Sequence, residues 1–202
     1  MTDTFEPYPV EDKDAWLNEN PTGAYIPMGI TAENIVKRYG LTREQMDQMA
    51  VSSNAKAFKA QQEGKLAPSI IPVTITDKEG NTKIVTEDEG IRPGTTLESL
   101  AGLRPCFIPA DQGGTVTAAS DASAFVVLMS ADKAQELGIK PIARLKAFAV
   151  GGCDANVMGL GPIYAVPKAM KRAGLTVADM DTIELNEAFA AQAIPCMQEL
   201  GM

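Results

Sequence analysis

The hydrophobic pattern changes period several times along the chain. Residues 1–27 have weak periodicity and are rich in Pro, Asp, Glu and Asn, which predicts an irregular, surface-following segment. From Gly29 to Val36 the pattern turns helical, with Thr31 as the expected N-cap and Gly40 as the stop. A longer helix is expected from Thr42. There Thr42-Arg43-Glu44-Gln45 reads as a capping box, in which the hydroxyl and the Gln side chain satisfy amide donors reciprocally. Met46, Met49, Ala50, Ser53, Ala57 and Ala60 recur at helical spacing up to Gly64. Two β-like runs follow, Ile70 to Thr76 and Thr82 to Thr86, joined by the turn residues Asp77-Lys78-Glu79-Gly80-Asn81. Pro72 places the first run at an edge or at a strand start.

Residues 90–115 interrupt the pattern with Gly90, Pro93, Gly94, Pro105, Pro109, Gly113 and Gly114, leaving room for one short helix from Thr96 to Leu103. A long irregular connection of this kind is often functional. Ala124 to Met129 is a continuous apolar run, which predicts a strand buried on both faces. A helix from Ala131 to Leu137 follows, then a strand from Ile142 to Val150 and a helix from Pro162 to Arg172 closed by Gly174. A short strand, Thr182 to Leu185, and a helix from Glu187 complete the series. This alternation predicts an α/β sheet layer over residues 120–202.

Composition narrows the function classes. Hydrophobic residues make up 45% and charged residues 22%, the balance of a globular domain. No apolar run approaches roughly 18 residues, so no membrane span is expected. The acidic start Met1-Thr2-Asp3-Thr4-Phe5-Glu6 lacks the apolar core of a signal peptide, and a cytoplasmic location is the default expectation. A net charge of −8 argues against nucleic-acid binding. Three cysteines without CxxC spacing argue against a disulfide framework or a zinc ribbon and fit free thiols in a reducing compartment. The histidine count is zero, so this chain supplies no imidazole to a nucleophile pair, and most zinc sites lose their usual ligand.

Four features carry candidate chemistry. Leu185-Asn186-Glu187-Ala188-Phe189-Ala190-Ala191-Gln192 is expected at a strand-to-helix junction. Asn186 at the helix start either caps the helix or holds a water in a cleft, and Glu187 in the first turn complements the helix dipole. Val157-Met158-Gly159-Leu160-Gly161-Pro162 brings glycines before another helix, in either a tight loop or a close approach to ligand; it lacks the Gly-Lys-Ser/Thr ending of a phosphate loop. Cys106, Cys153 and Cys196 have no evident basic partner and read as inert thiols. Arg92 and Arg104 flank Ser99 and Leu103, a set able either to grip a phosphate and an adenine or to stand as solvated loop charge.

Taken together, these stretches resemble the thiolase family, which condenses or cleaves acyl-coenzyme A thioesters. The matching segments run in the family's order: Met28-Gly29-Ile30-Thr31-Ala32-Glu33-Asn34, Thr42-Arg43-Glu44-Gln45-Met46-Asp47, Leu103-Arg104-Pro105-Cys106-Phe107, Gly114-Thr115-Val116-Thr117-Ala118, Val157 to Pro162, and Asn186-Glu187-Ala188-Phe189-Ala190. The resemblance implies an α/β, layered αβαβα core, present in part, with an inserted coenzyme A-binding loop domain. Residues 1–119 would be the loop domain, 120–141 the end of the N-terminal core repeat and 142–202 the start of the C-terminal one. It implies that Arg92, Ser99, Leu103 and Phe107 lie near adenosine and pantetheine. Met28, Ala118, Met158, Ala188 and Phe189 would line the pantetheine and acyl pocket. Asn186 matches the asparagine that holds an oxyanion-hole water, a role that stabilises charge developing on a thioester oxygen. The implied substrates are acetyl-CoA or acyl-CoA and coenzyme A, with no resident cofactor or metal, in a homodimer or homotetramer.

The departures matter equally. The family's nucleophilic Cys, its Gly-His-Pro histidine and its second Cys near the C-terminus fall outside this chain. Pro27 stands where many thiolases have a histidine, and Ala119-Ser120-Asp121-Ala122-Ser123 is shorter than the family's Ser-containing loop and lacks its Asp-Gly. The pantetheine-contacting serine is therefore unassigned. The expectation is a thiolase-type acyltransferase of greater length, with this chain inactive alone. The alternative is a non-catalytic thiolase-like fragment or subunit that binds coenzyme A or completes a partner's site.

Overall fold

The structure, a computed structural model, describes residues 14–20, 22–117 and 127–202. Helix α1 (Ala15–Glu19) lies within the segment expected to be irregular and is capped by Asp14, whose carboxylate accepts from the Leu17 amide at 3.0 Å. Helix α2 (Met28–Tyr39) starts four residues earlier than the Thr31 cap would place it. Thr31 lies inside the helix and donates its hydroxyl to the Met28 carbonyl at 2.7 Å. Pro27, with its fixed φ, takes the N-cap position without a side-chain bond. Gly40 ends the helix at φ 63°, as the sequence predicts.

Helix α3 (Arg43–Gln62) carries the expected capping box: Thr42 Oγ1 accepts from the Gln45 amide at 3.2 Å and Gln45 Oε1 accepts from the Thr42 amide at 2.9 Å. Strands β1 (Val73–Thr76) and β2 (Thr82–Val85) form an antiparallel hairpin in which Val73 faces Val85 and Thr76 faces Thr82. Helix α4 (Leu97–Ala101) is capped by Thr96. Helices α5 (Ala131–Glu136), α6 (Gly161–Ala173) and α7 (Ala190–Leu200) follow, with a 3-10 turn over Ala155–Leu160 before α6.

The expected sheet layer is the main correction. Among the described residues the β1–β2 hairpin is the only sheet. Residues 142–150 and 182–187 form no strand, and the described part of the 124–129 run is exposed rather than buried, Val127 at 85%. Phe148 in the 142–150 stretch is 68% exposed. A strand exists only through a partner, and none of the described residues supplies a second strand to these stretches.

The chain divides into two compact units, Met1–Gly40 with Ala118–Met202, and Leu41–Thr117. In the first unit α2, the Ala155–Leu160 turn and α7 pack together, and Ile35, Val157 and Leu160 form the buried cluster with Tyr39 and Ile163 against it. Burying side chains of this size is worth about 1.5–3 kcal/mol each. In the second unit α3 packs against α4.

Candidate functional site

The second unit holds an open cavity of about 640 Å³ lined by the consecutive residues Arg104 to Ala110. This segment is proline-rich and makes no helix or strand until the Ala110–Gln112 turn, so other residues must fix it. Two contacts do so on one side. The Cys106 amide donates to the Val116 carbonyl at 2.9 Å, and the Gly114 amide donates to the Pro109 carbonyl at 3.0 Å. Gly114 is packed so closely that an added Cβ would overlap the Ile108 backbone carbonyl. Arg43 anchors the segment's start. Its Nε bonds both carboxylate oxygens of Asp47 at 2.8 and 2.9 Å, Nη2 donates to the Leu100 carbonyl at 2.7 Å and Nη1 to the Leu103 carbonyl at 3.2 Å. A planar guanidinium can make this set of bonds at once; an ammonium cannot.

Leu103 and Phe107 are both exposed; Phe107 stands in the cavity wall, and Leu103 immediately precedes the lining segment. Arg92 and Ser99 lie in the same unit but outside that lining. The Arg92 backbone amide donates to Asn54 Oδ1 at 3.0 Å, and the residue is exposed. Ser99 is in the α4 capping box: its Oγ accepts from the Thr96 amide at 3.0 Å and donates to the Thr96 carbonyl at 2.8 Å. Its one hydroxyl proton is therefore committed to the backbone.

In the first unit Met28 opens α2 with an exposed side chain, and Met158 projects from the turn before α6, 46% exposed. The helix after Asn186 begins at Ala190 rather than Glu187, and its N-cap is Phe189. Asn186 therefore does not cap it and Glu187 is not in its first turn; both are exposed on the extended approach. The apolar Ala188 and Phe189 that precede the helix are half-buried. Ala118 lies outside the described residues.

Cys196 is buried, and burial pushes its thiol above the ordinary value. Cys153 is half-buried and Cys106 exposed. Sequence reasoning missed Arg43, Asn54 and Gly114 as supports of the loop. The Arg43–Asp47 spacing of four was a visible signal; the partners of Asn54 and Gly114 were not.

Residues 13–132 match the family model of the thiolase N-terminal domain, and residues 139–202 match that of the thiolase C-terminal domain. The chain belongs to the thiolase family. It is 45% identical over 194 residues to a 3-ketoacyl-CoA thiolase of Marinomonas sp. (strain MWYL1), covering 95% of this chain and 50% of that protein. It is 50% identical over 180 residues to a 3-ketoacyl-CoA thiolase of Psychrobacter sp. (strain PRwf-1), covering 87% of this chain and 46% of that protein. The crystal structure of the dimeric peroxisomal thiolase of Saccharomyces cerevisiae superposes with a TM-score of 0.81 at 36% identity, over 94% of this chain and 49% of that one. The Bacillus anthracis acetyl-CoA acetyltransferase gives a TM-score of 0.80 at 40% identity, over 89% and 46%. The described backbone therefore follows part of a thiolase fold, although residues 142–150 and 182–187 form no strand. The chain spans about half the length of the curated relatives it matches.

Proposed function

We propose that this chain is the substrate-holding portion of a thiolase-type acyl-CoA acyltransferase, acting in Claisen condensation or thiolytic cleavage of 3-ketoacyl-CoA. The observation that carries the reading is the pair of thiolase domain models, matched in order through residues 13–132 and 139–202. Residues 1–119 would supply the coenzyme A-binding loop domain, with 120–141 and 142–202 belonging to the two core repeats. Arg92, Ser99, Leu103 and Phe107 would serve the adenosine and pantetheine portions. Met28, Ala118, Met158, Ala188 and Phe189 would serve the pantetheine and acyl portions. Asn186, its amide not spent on capping α7, would orient a water toward the thioester oxygen, where a fixed donor favours the developing negative charge.

The nucleophilic cysteine would come from outside this chain. It would attack an acyl-CoA, expel coenzyme A, and pass the acyl group to the enolate of a second thioester, so ping-pong kinetics are expected of the whole enzyme. Coenzyme A thioesters are substrates here, with no resident cofactor; a homodimer or homotetramer and a cytoplasmic location are part of the same reading.

Intact mass of the protein purified from its source tests the catalytic reading: a mass well above 21.4 kDa is expected, and 21.4 kDa would leave a binding fragment. Calorimetric titration with coenzyme A, on the chain and on Arg92→Ala, tests the binding role. Weaker binding by the variant is expected. No heat with the unmutated chain would overturn it.

A further inference from the structure

The turn that presents Met158 is held from beneath by a buried polar pair. The Gly159 backbone seats directly on Gln192: an added Cβ would lie 2.8 Å from Gln192 Cγ and 3.1 Å from both Gln192 Cβ and Ile35 Cδ1. Gln192 Nε2 donates to Cys196 Sγ at 3.6 Å, and the Cys196 thiol donates to the Gly159 carbonyl at 3.5 Å. The Cys153 thiol donates to the preceding carbonyl, that of Met158, at 3.7 Å. Two consecutive carbonyls thus each receive a thiol hydrogen. The turn needs such support because Val157 leaves the helical region at φ −136° and ψ 36°. Upstream, Asn34 Nδ2 donates to the Asn156 carbonyl at 3.0 Å.

Gln192 holds this place at a cost. It is 6% exposed, and its Oε1 finds no hydrogen-bond partner among the described residues. A buried unsatisfied acceptor is destabilising, whereas an apolar side chain of the same shape is neutral or stabilising there. On that count an apolar side chain would serve better at this place than a glutamine. What the glutamine adds is its amide hydrogen on Cys196, since that bond leaves the thiol hydrogen directed at Gly159.

We propose that Gln192 and Cys196 are positioning residues that fix the Met158–Gly159 turn, so that the exposed Met158 thioether meets the acyl end of a coenzyme A thioester. This rests on the acyl-CoA reading above. The chemistry is an apolar, polarisable side chain on a backbone that has no slack, suited to an aliphatic acyl group.

Gln192→Met keeps the volume and removes the amide; Cys196→Ala removes the thiol donor; Cys196→Ser restores a donor. The readouts are the 13C-methyl NMR signal of Met158, the melting temperature, and the affinity ratio of butyryl-CoA to free coenzyme A. Gln192→Met is expected to melt no lower than the parent, to move or broaden the Met158 methyl signal, and to cut the affinity ratio about three- to ten-fold, the scale of one apolar contact. Cys196→Ala should do the same to signal and ratio, and Cys196→Ser should restore both. An unmoved methyl signal or an unchanged ratio in both Gln192→Met and Cys196→Ala overturns the proposal. Met158→Ala must itself lower the ratio; if it does not while coenzyme A still binds, the positioning role falls and the acyl-CoA reading stands. If the parent binds no coenzyme A, the acyl-CoA reading falls and takes this proposal with it.

Discussion

Gly114 and Gly159 show how single residues decide where the candidate site can form. At each, the neighbouring chain occupies the space a side chain would need: the Ile108 carbonyl at Gly114 and the Gln192 stem at Gly159. The two obstacles differ. A Gln stem can rotate, while a backbone carbonyl can retreat only by moving the Arg104–Ala110 segment that lines the cavity. Gly114→Ala is therefore expected to destabilise the chain by about 1–3 kcal/mol, the range for overpacking, and to weaken coenzyme A binding as well. Urea unfolding followed by circular dichroism checks the first effect and calorimetric titration the second. Gly114 was visible in the sequence as part of a family motif, but the reason for it was not. Its constraint comes from a loop six residues away folding back on itself, and no local pattern encodes that return.

At the scale of elements, helix ends were the most legible part of the chain. Thr42-Arg43-Glu44-Gln45 is a capping box in the sequence and in the structure, and Gly40 and Gly174 stop their helices in the left-handed conformation. These are contacts within four residues, so sequence spacing alone specifies them. Thr31 failed as a cap because Pro27 had already set the chain's direction, and Asn186 failed because the α7 helix starts beyond two apolar residues. The hairpin was legible for the same local reason. Asp77 closes it, with Oδ1 accepting from the amides of Glu79 and Asn81 and Oδ2 from the Asn81 side chain, each at 2.9 Å. The Asn81 side chain foremost, then the Asn81 amide, holds the Asp77 carboxyl below its ordinary value of 3.8. A carboxyl whose folded value is lowered stabilises the turn fully above the unfolded value and stops doing so as pH falls through the folded one. The Asn81 and Glu79 amide NMR signals should therefore shift together on acidification, with a common midpoint below 3.8. A midpoint at or above 3.8 would contradict the bonding pattern.

The whole molecule is where sequence reasoning met its limit. Apolar runs at 124–129 and 142–150 read as strands, yet strand pairing is a long-range property, and the described residues bring no second strand to them. What remains is a stretch without regular structure in which Ile142, Leu145, Phe148 and Val150 are all exposed. Its backbone is only partly engaged: the Phe148 carbonyl accepts from Arg172 Nη1 at 2.6 Å and the Val150 carbonyl from Lys168 Nζ at 3.5 Å, both on α6. Gly151, packed against the α6 backbone at Tyr164 and Ala165, holds the end of the stretch close to that helix. An apolar segment with unpaired backbone groups is a template for pairing with another chain. The 202-residue chain is accordingly expected to bind a hydrophobic dye and to self-associate with rising concentration. Leu145→Lys with Phe148→Lys should suppress both effects while leaving helical circular dichroism unchanged, because neither side chain belongs to the Ile35–Val157–Leu160 cluster. Sedimentation velocity across a concentration series checks this directly. Undiminished association of the double variant would move the sticky surface elsewhere, and a monomeric, dye-silent parent would mean that these side chains find cover within the chain itself.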